Sequence, residues 1–294
     1  MLGAVKLQKL HATDIDKLYL SLEDKIAPRT ARHVHSVLNA CLSAAVRTAK
    51  LARNPMLSIT RTPSPGESDH GIALDDSQLV KLVQGFKGSA LFPIVSTAAF
   101  TGARRNEILA LRWSDLDVEK KRLRIERALE ETKVHGVRIK GPKKESNKRT
   151  ITIDDDLLAL LVSERDKHLR IKAGIPDGVA VDLSLVKLPE GALMFPNPSA
   201  LADGTFLTPR GPRHVTKEFA RRAKKLGFDK LRLHDLRGTH ETLLLDRNVP
   251  VHVVAERCGH DPAVLLRNYA KRTAKADSNA ASVIGSISKG ILGT

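Results

Sequence analysis

The stretch His234-Asp235-Leu236-Arg237-Gly238-Thr239-His240, followed by Gly259-His260-Asp261-Pro262 and then by Tyr269, decides how this chain folds. Three-residue spacing on a helix puts His234 and Arg237 on one face, and a helix beginning near Asp235 adds free backbone N–H groups at an anion-friendly end. Gly259 suits the left-handed position that closes a helix through Val253 and Cys258, while Asp261 and Pro262 suit the N-cap and first turn of the next. His260 is therefore expected in a fixed corner, with Tyr269 about two turns further on, roughly 10 Å along the helix axis. Taken singly, H-x-x-R is a common surface pair and a helical tyrosine is usually a core residue. Two features raise the functional weight of Tyr269. Tyr19 is the only other tyrosine, and Arg267, Lys271 and Arg272 stand close enough in sequence to lower the cost of a phenolate.

Outward from this stretch, the pattern is mostly helical. Over 28–54, Val34, Val37, Leu38, Cys41, Leu42, Ala45 and Val46 form one helical stripe, with Arg29, Arg32, His33, Arg47, Lys50 and Arg53 off it. Asn54-Pro55 should end that helix, and a shorter one is expected over 14–22, so residues 1–57 read as a helical unit. A Pro/Gly/Ser-rich stretch follows, and 58–72 is read as a linker. Helices are expected over 75–83, 91–100 and 107–113, strands over 123–126, 137–139 and 150–153, and helices again from 155, interrupted by a Gly/Pro-rich loop over 174–209. Residues 214–226 place Val215, Phe219, Ala223 and Leu226 on one face. The fold class is mainly α with a small antiparallel β-sheet (α+β), with a second domain over 73–294.

Composition limits the partner. Forty-nine Lys and Arg against thirty-three Asp and Glu leave a formal charge of +16, which attracts a polyanion by counterion release. A membrane-surface protein would need an amphipathic segment with aromatic residues on its apolar face, and a single-strand binder would need stacking platforms; ten aromatics supply neither, so duplex phosphates are the expected target. No signal-like leader or spanning stretch is present, which points to a cytoplasmic protein. Cys41 and Cys258 form no C-x-x-C pair and are expected to be small buried hydrophobes. No histidine spacing suggests a metal site, since Leu244 stands where H-E-x-x-H needs its second His, and no phosphate-cradling glycine motif for a nucleotide occurs.

Thr101-Gly102-Ala103-Arg104-Arg105-Asn106-Glu107 lies between two apolar runs. Glu107 could orient Arg104 while leaving its fork for a phosphate, or the two could be a plain i,i+3 ion pair.

Thr101-Gly102-Ala103-Arg104 with Glu107, the hairpin Pro142-Lys143-Lys144-Glu145-Ser146-Asn147-Lys148-Arg149-Thr150-Ile151, the stretch 234–240, Gly259-His260 and Tyr269 together resemble, in order and spacing, the tyrosine recombinase (phage integrase) family. The likeness covers nearly the whole chain. It implies a helical core-binding domain over 1–57, N-terminally incomplete, and a tyrosine-recombinase catalytic domain with a C-terminal tail over 73–294. The implied chemistry is a metal-free, cofactor-free transesterification in which Tyr269 attacks a scissile phosphate to give a 3′-phosphotyrosyl link. By position, Arg104 and Arg237 match the arginines that clamp the non-bridging oxygens, and His260 the second phosphate donor. His234 matches the acceptor of the tyrosine proton, and Glu107 the support of the first arginine. Lys143 matches the hairpin lysine that protonates the leaving oxygen, although Lys140, Lys144 and Lys148 lie near it; Gly238 stands where many members have His. The implied partner is double-stranded DNA, contacted in part by Arg29, Arg32, Arg47, Lys50 and Arg53, with four copies assembled on it, the C-terminal segment 274–292 docked in trans, and a DNA-bending accessory protein. Alternatives are a non-catalytic or crippled DNA-binding protein on the same scaffold and a type IB topoisomerase-like relaxing enzyme.

Overall fold

Helices α1 (Ala12–Glu23) and α2 (Pro28–Arg47) build the first of two units, Met1–Asp69 and His70–Thr294, in the computed structural model, which describes residues 2–64, 71–141 and 148–272. Asp14 accepts from His11 N–H at 3.1 Å to start α1, and Pro28 occupies the first turn of α2, where its missing N–H costs nothing. The small core joins Ile15, Tyr19, Leu42 and Met56, and Tyr19 Oη pairs with His35 Nδ1 at 3.0 Å. α2 stops at Arg47 rather than at Asn54, because Ala49 turns into the left-handed region (φ 55) and Lys50 N–H closes back on Ala45 O at 2.8 Å. The buried stripe is also narrower than its sequence pattern. Ala31, Leu42 and Ala45 are buried, but Val37 is 56% exposed and Cys41 is exposed. Among the described residues α1 and the short turn Pro55–Ser58 make the main contacts to α2. Thr60 and Arg61, inside the stretch read as linker, donate their N–H groups to Asp16 at 3.1 and 3.0 Å and so belong to this unit's fabric.

The second unit begins with α3 (Asp76–Gly85), opened by a reciprocal capping box between Asp75 and Gln78. Its axis is α4 (Phe92–Thr101), where Ile94, Val95, Ala98 and Ala99 are at most 2% exposed and even Ser96, Thr97 and Thr101 are buried. A helix apolar all round must be covered all round. α3, α6 and α9 pack on it. α5 (Arg105–Ile108) is a single turn. The chain then turns through 109–110 instead of continuing as helix and is drawn out only at 111–112 before a 3-10 turn over Trp113–Asp115, because Met194 N–H reaches Leu111 O and Trp113 N–H reaches Ala192 O, at 2.9 and 3.0 Å. Strands β1 (Leu116–Asp117), β2 (Arg122–Ile125), β3 (Ala128–Thr132), β4 (Gly136–Lys140) and β5 (Arg149–Thr152) follow. They form two antiparallel arrangements where one was expected: a sheet in the order β1-β2-β5, with Arg124 opposite Thr150, and a separate β3-β4 hairpin, with Glu130 opposite Arg138.

Helices α6 (Asp155–Ala173), α7 (Pro198–Ala202), α8 (Pro212–Lys225), α9 (Asp235–Asp246), α10 (Val251–Cys258) and α11 (Pro262–Arg272) complete the unit. α7 lies inside the stretch read as loop. On α8, Val215, Phe219 and Ala223 are buried as the periodicity predicts, and Phe219 stacks on Phe86 at 5.3 Å. The architecture is mainly α with small antiparallel sheets. Among the described residues no helix is long and apolar enough to cross a membrane.

Candidate active site

Two helix ends frame the site. α4 closes on Gly102 (φ 64) and α10 on Gly259 (φ 65), both left-handed. Each glycine carbonyl accepts from an arginine of another segment: Gly102 O from Arg237 Nη1, and Gly259 O from Arg104 Nη2, both at 2.8 Å. Cations are favoured at helix C-termini, so these carbonyls are natural anchors for guanidinium groups. A Cβ at Gly102 would lie 2.8 Å from His240 Cδ2 and 2.9 Å from Cys258 Sγ, so the turn demands glycine for space as well as for φ.

Arg104, just before α5, donates its backbone N–H to Glu107 Oε2 at 2.8 Å and its Nη1 to Oε1 at 2.9 Å. Arg149, at the start of β5, approaches the same carboxylate from the other side with Nη1 and Nη2, at 3.2 and 2.8 Å, and sends Nε to Arg257 O at 2.8 Å. Burial pushes the Glu107 carboxyl up, but the hydrogen bond and charge of Arg149, with the backbone N–H and charge of Arg104, outweigh it and hold its pKa down at about 2.

Arg237, on the first turn of α9, is 2% exposed. Its Nε lies 3.1 Å from Glu241 Oε1 and 3.2 Å from His260 Nε2, and that imidazole nitrogen is 2.9 Å from the same carboxylate oxygen. Nη1 is on Gly102 O, and Nη2 is buried with no hydrogen-bond partner among the described residues. His240 takes Arg257 Nε on its Nε2 at 3.1 Å and meets Ala99 O with Nδ1 at 2.9 Å, tying α4, α9 and α10 together. Burial, then the charge of Arg257, lowers its pKa to about 4, so it is a neutral strut. Burial pushes the Cys258 thiol up to about 11, so it is no nucleophile at neutral pH. His234 stands exposed at the N-cap position of α9 without a side-chain capping bond; the surrounding protein mass, then the charge of Arg237, lowers its pKa and favours the neutral base.

The structure thus brings Arg104, Glu107, Arg237 and His260 into one connected cluster, with His234 at the entrance to α9. It does not bring the Tyr269 hydroxyl there. Tyr269 donates to Asp246 Oδ1 at 2.8 Å, at the far end of α9, roughly 16 Å of helix from Asp235. Lys143 and the stretch 274–292 lie outside the described residues. In the first unit Arg29, Arg47, Lys50 and Arg53 are exposed, and Arg32 is half-buried with Nη1 toward Pro63 O. Sequence reasoning assigns no role to Arg149, Glu241 or Asp246. The i,i+4 spacing of Arg237 and Glu241 is a readable signal; the other two partnerships span 42 and 23 residues and leave none.

The scaffold is α+β and holds two buried arginines, Arg149 and Arg237, close to the ends of α4 and α10. Residues 89–276 match the phage integrase family model. A tyrosine recombinase XerC-like protein of Caldanaerobacter subterraneus subsp. tengcongensis is 24% identical over 97% of this chain and 73% of its own length. An integrase of Saccharopolyspora erythraea is 25% identical over 91% and 70%. Among solved structures, the Tn1549 transposon integrase (residues 82–397) in complex with circular intermediate DNA superposes with a TM-score of 0.71 at 16% identity, covering 96% of this chain and 87% of that one. A lambda integrase (75–356) dimer bound to a COC′ core site gives 0.62 at 16% identity, covering 91% and 82%. The chain belongs to the phage integrase family, the tyrosine recombinases.

Proposed function

We propose that the chain is a site-specific DNA recombinase that cleaves and rejoins duplex DNA through a phosphotyrosyl intermediate. Tyr269 Oη attacks the scissile phosphorus, its proton passing to neutral His234. The P–O bond to the 5′-oxygen breaks, and that oxygen leaves as a 5′-hydroxyl carrying a proton from Lys143. A 3′-phosphotyrosyl ester remains, and a 5′-hydroxyl from a partner duplex then attacks it and returns the tyrosine. The bond energy is conserved in the ester. Arg104, Arg237 and His260 stabilise the charge that gathers on the non-bridging oxygens in the pentavalent transition state. Glu107 and Arg149 hold Arg104.

The observation that carries this reading is Arg237. A guanidinium 2% exposed, with Nε and Nη1 engaged and Nη2 without a partner among the described residues, is a pre-aimed donor whose missing partner is best supplied by an anion. In this reading the Tyr269 hydroxyl must leave Asp246 before it can attack. By the same likeness we extend the proposal to a first unit that contacts DNA through Arg29, Arg32, Arg47, Lys50 and Arg53, to assembly of four copies on DNA, and to an accessory DNA-bending protein.

The test uses nicked suicide duplexes carrying candidate attachment sites, incubated in EDTA and resolved on denaturing gels. The expected result is a covalent protein–DNA band with the wild type and none with Tyr269→Phe. Retarded DNA on native gels without any covalent band, across a pool of sites, would identify a DNA-binding protein without this chemistry.

A further inference from the structure

Arg237 is buried among the α4, α9 and α10 ends, and a guanidinium at that depth needs a counter-ion or its desolvation goes unoffset. Glu241, one turn along α9 and itself 3% exposed, is that counter-ion. Its Oε1 stands at ion-pair distance from two nitrogens, 3.1 Å from Arg237 Nε and 2.9 Å from His260 Nε2. Arg237 Nε–H donates to His260 Nε2 at 3.2 Å, so guanidinium, imidazole and carboxylate meet at one point. With Nε–H on His260 Nε2 beside the Glu241 charge and Nη1 on Gly102 O, the guanidinium plane is pinned at two corners and the Nη2 edge is left to give. The imidazole is likewise held by one nitrogen, which leaves the other for a ligand.

Resting on the recombinase reading above, we propose that Glu241 is a positioning residue for phosphoryl transfer: its carboxylate gathers Arg237 and His260 on one oxygen and so aims the remaining Arg237 Nη2 edge and the His260 ring at the same phosphate. It touches neither DNA nor the reacting atoms. A carboxylate near a phosphate also repels it, so the two effects have opposite signs and experiment separates them. If positioning dominates, loss of the carboxylate slows the chemical step; if repulsion dominates, it speeds that step.

The experiment measures single-turnover formation of the covalent band on the nicked duplex with the full chain, alongside duplex affinity by gel retardation and thermal melting of each variant. Glu241→Ala is expected to slow the covalent step by about 10- to 100-fold with duplex affinity within about twofold, because the first unit and outer phosphates are untouched. Glu241→Gln, which keeps the shape of the side chain without its charge, is expected to fall between Glu241→Ala and wild type. In the Arg237→Lys background, Glu241→Ala is expected to change the rate by less than about twofold, since its effect runs through Arg237. A wild-type or faster rate in Glu241→Ala, or a full additional loss in the Arg237→Lys background, overturns the inference. A melting loss shared equally by Gln and Ala, with equal rates, reduces Glu241 to a structural role and overturns it too. Independently of cleavage, the Arg237 Nε–H resonance, assigned by its loss in Arg237→Lys, is expected to exchange slowly in the wild type and faster in Glu241→Ala, where the counter-ion beside it is gone; no difference between the two refutes the contact. Absence of a covalent band in the wild type would instead count against the recombinase reading, while the resonance still decides on Glu241.

Discussion

At the scale of single residues, removing the Glu107 carboxylate would leave Arg149, whose side chain is 5% exposed, without its bidentate acceptor, and would release Arg104 from the turn that holds it. Breaking a buried pair by deleting one partner costs about 3–5 kcal/mol, because the remaining charge stays desolvated. Glu107→Ala is therefore expected to lower the melting temperature by roughly 10 °C in a unit of this size, and Arg149→Ala to do likewise, with the double variant well short of the sum. Additive losses would mean that the two side chains do not share one energetic contact. Acid exposes the same contact from the other direction. The folded pKa of Glu107 is about 2 against an ordinary 4.5, so its contribution is fully present above about pH 4.5 and is lost as the pH falls toward 2. That shift corresponds to on the order of 3 kcal/mol. Denaturant titrations at pH 5 and 3 should show this loss in the wild type and a smaller one in Glu107→Gln.

At the scale of elements, the site depends on helices ending where they do. Gly102→Ala must hold a non-glycine residue at φ 64 and push a methyl group against His240 and Cys258 at 2.8–2.9 Å. The left-handed backbone alone costs about 1–2 kcal/mol, and the clash adds to it. The expected result is a loss of more than about 2 kcal/mol in denaturant unfolding and a large fall in covalent-adduct rate, because the displaced carbonyl is the one that anchors Arg237. An Ala variant as stable as wild type would show that the turn relaxes. Such local devices are the legible part of the fold. Gly259 closes α10 with φ 65, and Asp261 Oδ1 accepts Ala263 N–H at 2.8 Å to open α11, as their residue types foretell. What is not legible is decided at a distance. The sequence reads as helix to 113, but the chain leaves the helix at 109 and is drawn out at 111–112 by backbone bonds to 192 and 194, about eighty positions away. The strand Ala128–Thr132 reads A-L-E-E-T, a composition that favours helix, and owes its form to pairing with 136–140. The same division runs through the site: the i,i+3 pair of Arg104 and Glu107 can be read from sequence, whereas Arg149 reaches Glu107 only once β5 is in place.

At the scale of whole units, two buried neutral histidines make the second unit sensitive to mild acid. His168 accepts from Trp113 Nε1 at 3.0 Å and His240 braces α4 against α10, and burial first, then neighbouring cations, lowers both pKa values to about 4. An unfolded histidine takes its proton near pH 6.5, so stability is complete above that value and falls as the pH drops from about 6.5 toward 4, by roughly 2 kcal/mol per histidine at pH 5. Trp113, the sole tryptophan, should report this as an earlier denaturation midpoint at pH 5 than at pH 7.5, and His168→Gln should remove about half of the difference. Across the whole chain the charge of +16 governs a different dependence. Duplex affinity should fall steeply with salt, with a log–log slope of about −0.9 for each phosphate neutralised. Arg47, Lys50 and Arg53 lie exposed at and just beyond the end of α2, where the proposed first-unit contact falls. If each pairs with a phosphate, replacing all three by glutamine flattens the slope by about 2.7 and weakens binding to every duplex alike, since phosphate contacts carry no base information. An unchanged slope would move the duplex off this end of α2 and leave the basic helix α8 as the next surface to test. A slope that flattens only for one sequence would mean that these side chains read bases instead of backbone.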